Sequence, residues 1–118
     1  MSTRCNIIVQ DENTKYTLYH HCDGYPEYVG LCLFDGLYEK IKKGGLYAEG
    51  VVNMLLKGKI EDDDGYELTT GLHGDIEYLY VIDLVFKTLT CFSVSNWDGE
   101  FKVHDVIDLV EVKKKGEH

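Results

Sequence analysis

The sequence has little of what would name a reaction or a compartment. It contains one proline, one tryptophan and two methionines, and no stretch approaches the ~20 apolar residues of a membrane span. A bilayer-crossing helix is therefore not expected, and the acidic net charge disfavours an anionic membrane surface as a partner. Basic residues are few, 12 against 21 acidic ones, for a net charge of -9. Such a balance repels phosphate backbones, and Lys113–Lys115 is too short a cluster to override it, so direct nucleic-acid binding is not expected. The four cysteines, Cys5, Cys22, Cys32 and Cys91, show no Cys-x-x-Cys spacing and read as buried thiols in a reducing compartment. Serine nucleophile elbows, phosphate-cradling Gly-x-x-x-x-Gly-Lys loops and dinucleotide fingerprints are absent. The opening Met-Ser-Thr-Arg-Cys has neither the basic nor the apolar part of a signal peptide, which points to the cytoplasm. No catalytic residue and no cofactor is assigned.

What is present supports one folded domain, residues 1–118. Hydrophobic residues make up 44% of the chain and nine of its aromatics are tyrosine, enough to build a core. Cys5–Gln10 and Lys15–Cys22 are β-like runs joined by the turn-forming Asp11-Glu12-Asn13-Thr14, a hairpin. With Gln10 opposite Lys15, alternation places Cys5, Ile7, Val9, Tyr16, Leu18, His20 and Cys22 on a core face. Arg4, Asn6, Ile8, Thr17, Tyr19 and His21 then lie on a polar face. Pro26 has the fixed φ suited to a helix start, and Val29, Leu33, Leu37 and Ile41 recur every four residues to Gly44-Gly45, predicting a helix of 16 to 18 residues. A second helix is predicted over Leu46–Lys57, an irregular stretch through Gly74, and a second hairpin from Ile76–Val85 and Leu89–Asn96. Phe101–Lys113 reads as a strand, although Val103, Val106, Ile107 and Val110 also satisfy a helical stripe. The expected fold is α+β, a mainly antiparallel sheet in the order ββααβββ with two helices on one face.

The densest run of chemically capable side chains is Tyr19-His20-His21-Cys22-Asp23-Gly24-Tyr25-Pro26-Glu27-Tyr28-Val29-Gly30. Arg4, Asn6, Tyr19 and His21 meet on the polar face with Asp23 and Tyr25 at the strand's end. Arginine and histidine can hold an anion, tyrosine can stack on a ring, and asparagine can read an edge, so these six form a candidate site for a small anionic ligand such as a nucleotide. The plainer account is a solvated face with Asp23 capping the helix start. Cys5 opposite His20, with Cys22 nearby, could offer three zinc ligands, but the spacing matches no standard metal motif and no metal is assigned. His21/Asp23, His73/Asp75 and His104/Asp105 would support metal binding or acid–base hydrolysis if they gathered in one cleft. Glu61, Asp62, Asp63 and Asp64 form an acidic loop, and with Trp97 they are the candidate protein interface.

The start Thr3-Arg4-Cys5-Asn6-Ile7 and the stretch His21-Cys22-Asp23-Gly24-Tyr25-Pro26, followed by Gly30, resemble a group of small phage and mobile-element proteins. Members begin in a Thr-Arg-Ser-x-Ile manner and carry a His-x-Asp-Gly-Tyr-Pro-x-x-x-Gly stretch; Cys22 stands where they commonly have tryptophan. The resemblance implies a phage-type accessory protein. It leads us to expect a binding protein that inhibits a host defence or nucleic-acid-handling protein. Sequestration of a nucleotide or other small ligand, a small hydrolase, and self-association stay open.

Overall fold

The computed structural model describes residues 3–57 and 65–116. The first hairpin forms as its residues dictate: β1 (Arg4–Gln10) and β2 (Lys15–His20) run antiparallel, with Cys5 opposite His20 and Gln10 opposite Lys15. The Asp11 carboxylate organises the turn, accepting hydrogen bonds from the Asn13 and Thr14 amides at 2.9 and 2.8 Å. Its other oxygen accepts one from the Ala48 amide at 2.8 Å, in the first turn of a later helix. Three amides on one carboxylate favour its charged form and lower the Asp11 pKa to about 2.

Beyond β2, Pro26–Gly30 forms a π-helical turn that leads into α1 (Leu31–Lys43). The single helix expected from Pro26 is thus two segments, with the wide turn first. Gly44 and Gly45, at φ +81° and +80°, end α1 in a conformation that costs glycine little. The chain continues into α2 (Ala48–Leu56), shorter at its start than the expected Leu46–Lys57. A three-residue strand, β3 (Glu67–Thr69), lies in the stretch expected to be irregular; its exposed Leu68 and shortness left no alternating pattern to read. β4 (Ile76–Asp83) and β5 (Thr88–Trp97) make the second hairpin.

The final segment is both of the things its pattern allowed. β6 (Glu100–Ile107) pairs with β5 across a two-residue turn, Asp98-Gly99, in which both residues have positive φ as the twist of a tight hairpin requires. Then Asp108 accepts hydrogen bonds from the Val110 and Glu111 amides and starts α3 (Leu109–Gly116). The described chain is therefore α+β, with six strands and three α-helices, and the expected order gains β3 and α3.

The sheet order is β3-β2-β1-β4-β5-β6. All pairings are antiparallel except β1 with β4, which are parallel at its centre and need the long crossover through α1 and α2. On one face Cys5, Ile7, Val9, Leu18, Tyr80, Ile82 and Cys91 meet Val29, Leu33, Leu37, Ile41, Val51, Leu55 and Leu109 from the helices. This is the main core, and each large aliphatic side chain in it contributes about 1.5–3 kcal/mol by leaving water. The opposite face has no helix among the described residues. It buries Tyr19, Ile76, Leu79 and Val94, with Ile8, Leu72, Val81 and Phe92 partly covered. No helix among the described residues is long and apolar enough to cross a membrane.

Candidate functional site

The hairpin register puts Arg4, Asn6, Tyr19 and His21 on the helix-free face, as alternation predicts. It is not an open polar face there, because the chain that follows β3 lies over it. Asn6 is fully buried. Its Nδ2 donates to the Leu18 carbonyl at 2.8 Å and its Oδ1 accepts from the His73 amide at 2.9 Å, so both ends of the amide are used within the protein. The His73 ring stacks on Tyr19 at 3.8 Å between centroids and 12° between planes. Asn96 Nδ2 donates to the His73 carbonyl at 3.1 Å, and Thr69 Oγ1 stands 3.2 Å from His73 Nε2. Tyr19, also buried, donates its hydroxyl proton to Asp75 at 3.0 Å, and Arg4 Nε lies 3.2 Å from the same carboxylate. Burial first, then the hydrogen bond to Asp75, pushes the Tyr19 pKa up to about 12.

Of the six candidate ligand-binding residues, Asn6 and Tyr19 are therefore covered rather than presented. His21 is exposed, 3.1 Å from Glu67 Oε1 and edge-on to Tyr19. The second His-x-Asp pair, which the sequence marked only as a possible metal or acid–base pair, supplies the lid of this cluster: His73 covers Tyr19, and Asp75 joins Tyr19 to Arg4. The three His/Asp pairs do not share a cleft. His104 sits on β6, with Nε2 2.9 Å from Ser95 Oγ.

Asp23 and Tyr25 belong to a joint rather than to this cluster. Asp23 has φ +54°, and its backbone carbonyl, not its side chain, receives the Val29 amide at 3.3 Å. No side chain caps the turn that begins at Pro26, which corrects the capping role expected of Asp23. Gly24 is held between strands: its amide donates to Thr3 at 2.8 Å, and its carbonyl accepts the buried Tyr80 hydroxyl at 2.7 Å. A Cβ on Gly24 would stand 2.9 Å from Cys5 Cβ and 3.1 Å from the Arg4 backbone. At Gly30 it would stand 2.8 Å from Leu109 Cδ2 and 3.3 Å from Tyr80. The Asp-Gly-Tyr-Pro-x-x-x-Gly stretch thus brings β2 across the sheet end and seats the turn before α1 against β4 and α3. Tyr25 is half-buried in this joint, its ring 6.4 Å from that of Tyr28.

Cys5 and His20 are buried side by side on the core face, and the His20 ring lies 4.9 Å from that of Tyr66. Among the described residues no three His, Cys, Asp or Glu side chains stand as a metal would require, so Cys5, His20 and Cys22 form no metal centre there. Burial raises the Cys91 thiol to about 12 and the neighbouring Tyr80 hydroxyl far above its ordinary range, so both are held in their neutral forms.

The candidate interface residues divide. Glu61, Asp62, Asp63 and Asp64 lie outside the described residues. Trp97 ends β5 at 66% exposure. Beyond the turn, β6 is the edge of the sheet and carries Phe101, Val103 and Val106, all exposed. Compared with protein-family models, with curated proteins and with solved structures, the chain matches none.

Proposed function

We propose that the chain acts by binding a protein partner with a basic surface, and that it is an accessory protein inhibiting a host defence or nucleic-acid-handling protein. The observation that carries this reading is the set of exposed apolar side chains on the β5–β6 hairpin, Phe101, Val103 and Val106 on the helix-free face and Trp97 near its turn, on a chain of net charge -9. Exposed aromatic and aliphatic side chains held on a hairpin are common interface anchors. The excess of carboxylates favours a basic partner and disfavours nucleic acid itself. The resemblance to phage and mobile-element proteins suggests that the partner belongs to the host. The nucleotide reading loses ground, because Asn6 and Tyr19 spend their polar atoms and ring face on the protein's own loop.

Immobilised protein exposed to bacterial lysate at low salt is expected to retain one basic protein that salt releases. Trp97→Ala should weaken retention by the apolar route. Neutralising Asp62, Asp63 and Asp64 to asparagine should weaken it by the electrostatic one. Failure to retain any protein at low salt would remove this reading.

A further inference from the structure

We propose that two copies of the chain pair through β6, antiparallel about a two-fold axis at its bulge, so that their sheets join edge to edge. This goes beyond partner binding and can be tested with the purified chain alone. The edge is open: every residue from Glu100 to Val106 is exposed. Among the described residues no strand pairs with the outer side of this eight-residue edge strand, and such an edge is a template for another strand.

What selects a second copy is one inserted residue. On β5, Val94 pairs with Val103 and Ser93 with Asp105, so His104 is extra. In a regular strand Lys102 and Asp105, three apart, would project to opposite faces, as would Phe101 and Val106, five apart. The bulge cancels this. Lys102 and Asp105 lie beside Ser95 and Ser93, two apart on β5 and hence on one face, while Phe101 and Val106 lie beside Asn96 and Phe92 on the other. The same insertion shifts the hydrogen-bonding phase of the outer edge. The two ends of β6 can therefore face each other across a two-fold axis, which an unbulged strand would not allow in this register.

That register is complementary to itself. Phe101 falls opposite Val106 of the second copy, Lys102 opposite Asp105, and Glu100 opposite Ile107, each pair occurring twice. The Lys102 ammonium now rests 3.6 Å from Glu100 with its side chain 66% exposed, and it is free to turn toward the new carboxylate. Pairing lies in the plane of the sheet, so the helix-free faces of the two copies become continuous.

Sedimentation equilibrium at roughly 1 mM protein detects association down to a millimolar Kd. About 0.15 M salt or more limits the mutual repulsion of two acidic chains to about 8 Å. A dimer is expected. Lys102→Asp and Asp105→Lys should each give a monomer, because like charges then face each other. An equimolar mixture of the two variants should form a heterodimer, and the double variant K102D/D105K should dimerise again. Amide exchange of the wild type should show protection that rises with concentration and is confined to β6. A monomeric wild type, or single variants that dimerise as well as the wild type, would overturn the proposal. Both positions are exposed, and circular dichroism of each variant verifies that a monomer is a folded one.

Discussion

The two faces of the sheet are built from the same strands and serve opposite ends. The helix-covered face is filled by aliphatic side chains from every helix, and Leu33, Leu37 and Ile41 are at most 1% exposed. The other face is closed at one end by a hydrogen-bonded loop around Asn6 and left apolar and open at the other, along β6. Stability is concentrated on the first face. What is left for recognition is on the second.

Substitutions can break that contrast in order of size. Leu37→Ala, on the covered face, should lower unfolding free energy by about 2–5 kcal/mol in denaturant titration, since it removes buried methyl groups and leaves a cavity. Gly30→Ala should lower it by about 1–3 kcal/mol, because the new methyl must displace Leu109 and crowd Tyr80. Asn6→Ala should cost about 1–3 kcal/mol by leaving the His73 amide without its acceptor and taking the side-chain donor from the Leu18 carbonyl, and it should speed amide exchange in residues 70–75. Val106→Thr, on the open face, should change stability by no more than about 0.5 kcal/mol. A loss at Val106 comparable to that at Leu37 would erase the division of labour.

A smaller, pH-dependent effect tests the link between the hairpin turn and α2. The folded Asp11 pKa of about 2 lies below the ordinary 3.8, so its stabilisation is complete above the unfolded value and disappears as pH falls from about 4 through 2. A carboxyl titration by NMR should place the Asp11 midpoint near 2, and Asp11→Asn should remove that part of the acid dependence. For Tyr19 the sign reverses. Its pKa is raised to about 12, so the corresponding stabilisation is present below pH 10 and is lost as the pH climbs toward 12.

The register of the first hairpin was legible, because with Gln10 opposite Lys15 alternation buries Ile7, Val9 and Leu18, although β1 begins one residue earlier than expected and β2 ends at His20 rather than Cys22. The helix stripe of Leu33, Leu37 and Ile41 was legible for the same reason at a different period. The parallel pairing of β1 with β4 was not, since nothing local to either strand records a partner so distant in sequence. Nor was the cover over Asn6 and Tyr19: His73 and Asp75 sit in a stretch without periodicity, and their contacts with Tyr19 and Asn6 exist only after the crossover closes. The Asp-Gly-Tyr-Pro run looked chemical because its side chains are reactive types, whereas its backbone and its missing Cβ atoms carry its role.

The parallel pair at the centre of the sheet also sets a clock. Gln10 and Asp83, joined at 2.9 Å by their side chains, are 73 positions apart, and the whole β1–β4 ladder spans a comparable separation. Closing so long a loop precedes any gain from the core it completes, and folding rates fall as contacts become less local. Until β4 arrives, β1 and β2 form a hairpin with one unsatisfied border. Folding should therefore be slow for a chain of this length, and until β4 pairs with β1 the inner border of the first hairpin is one more strand edge open to mispairing.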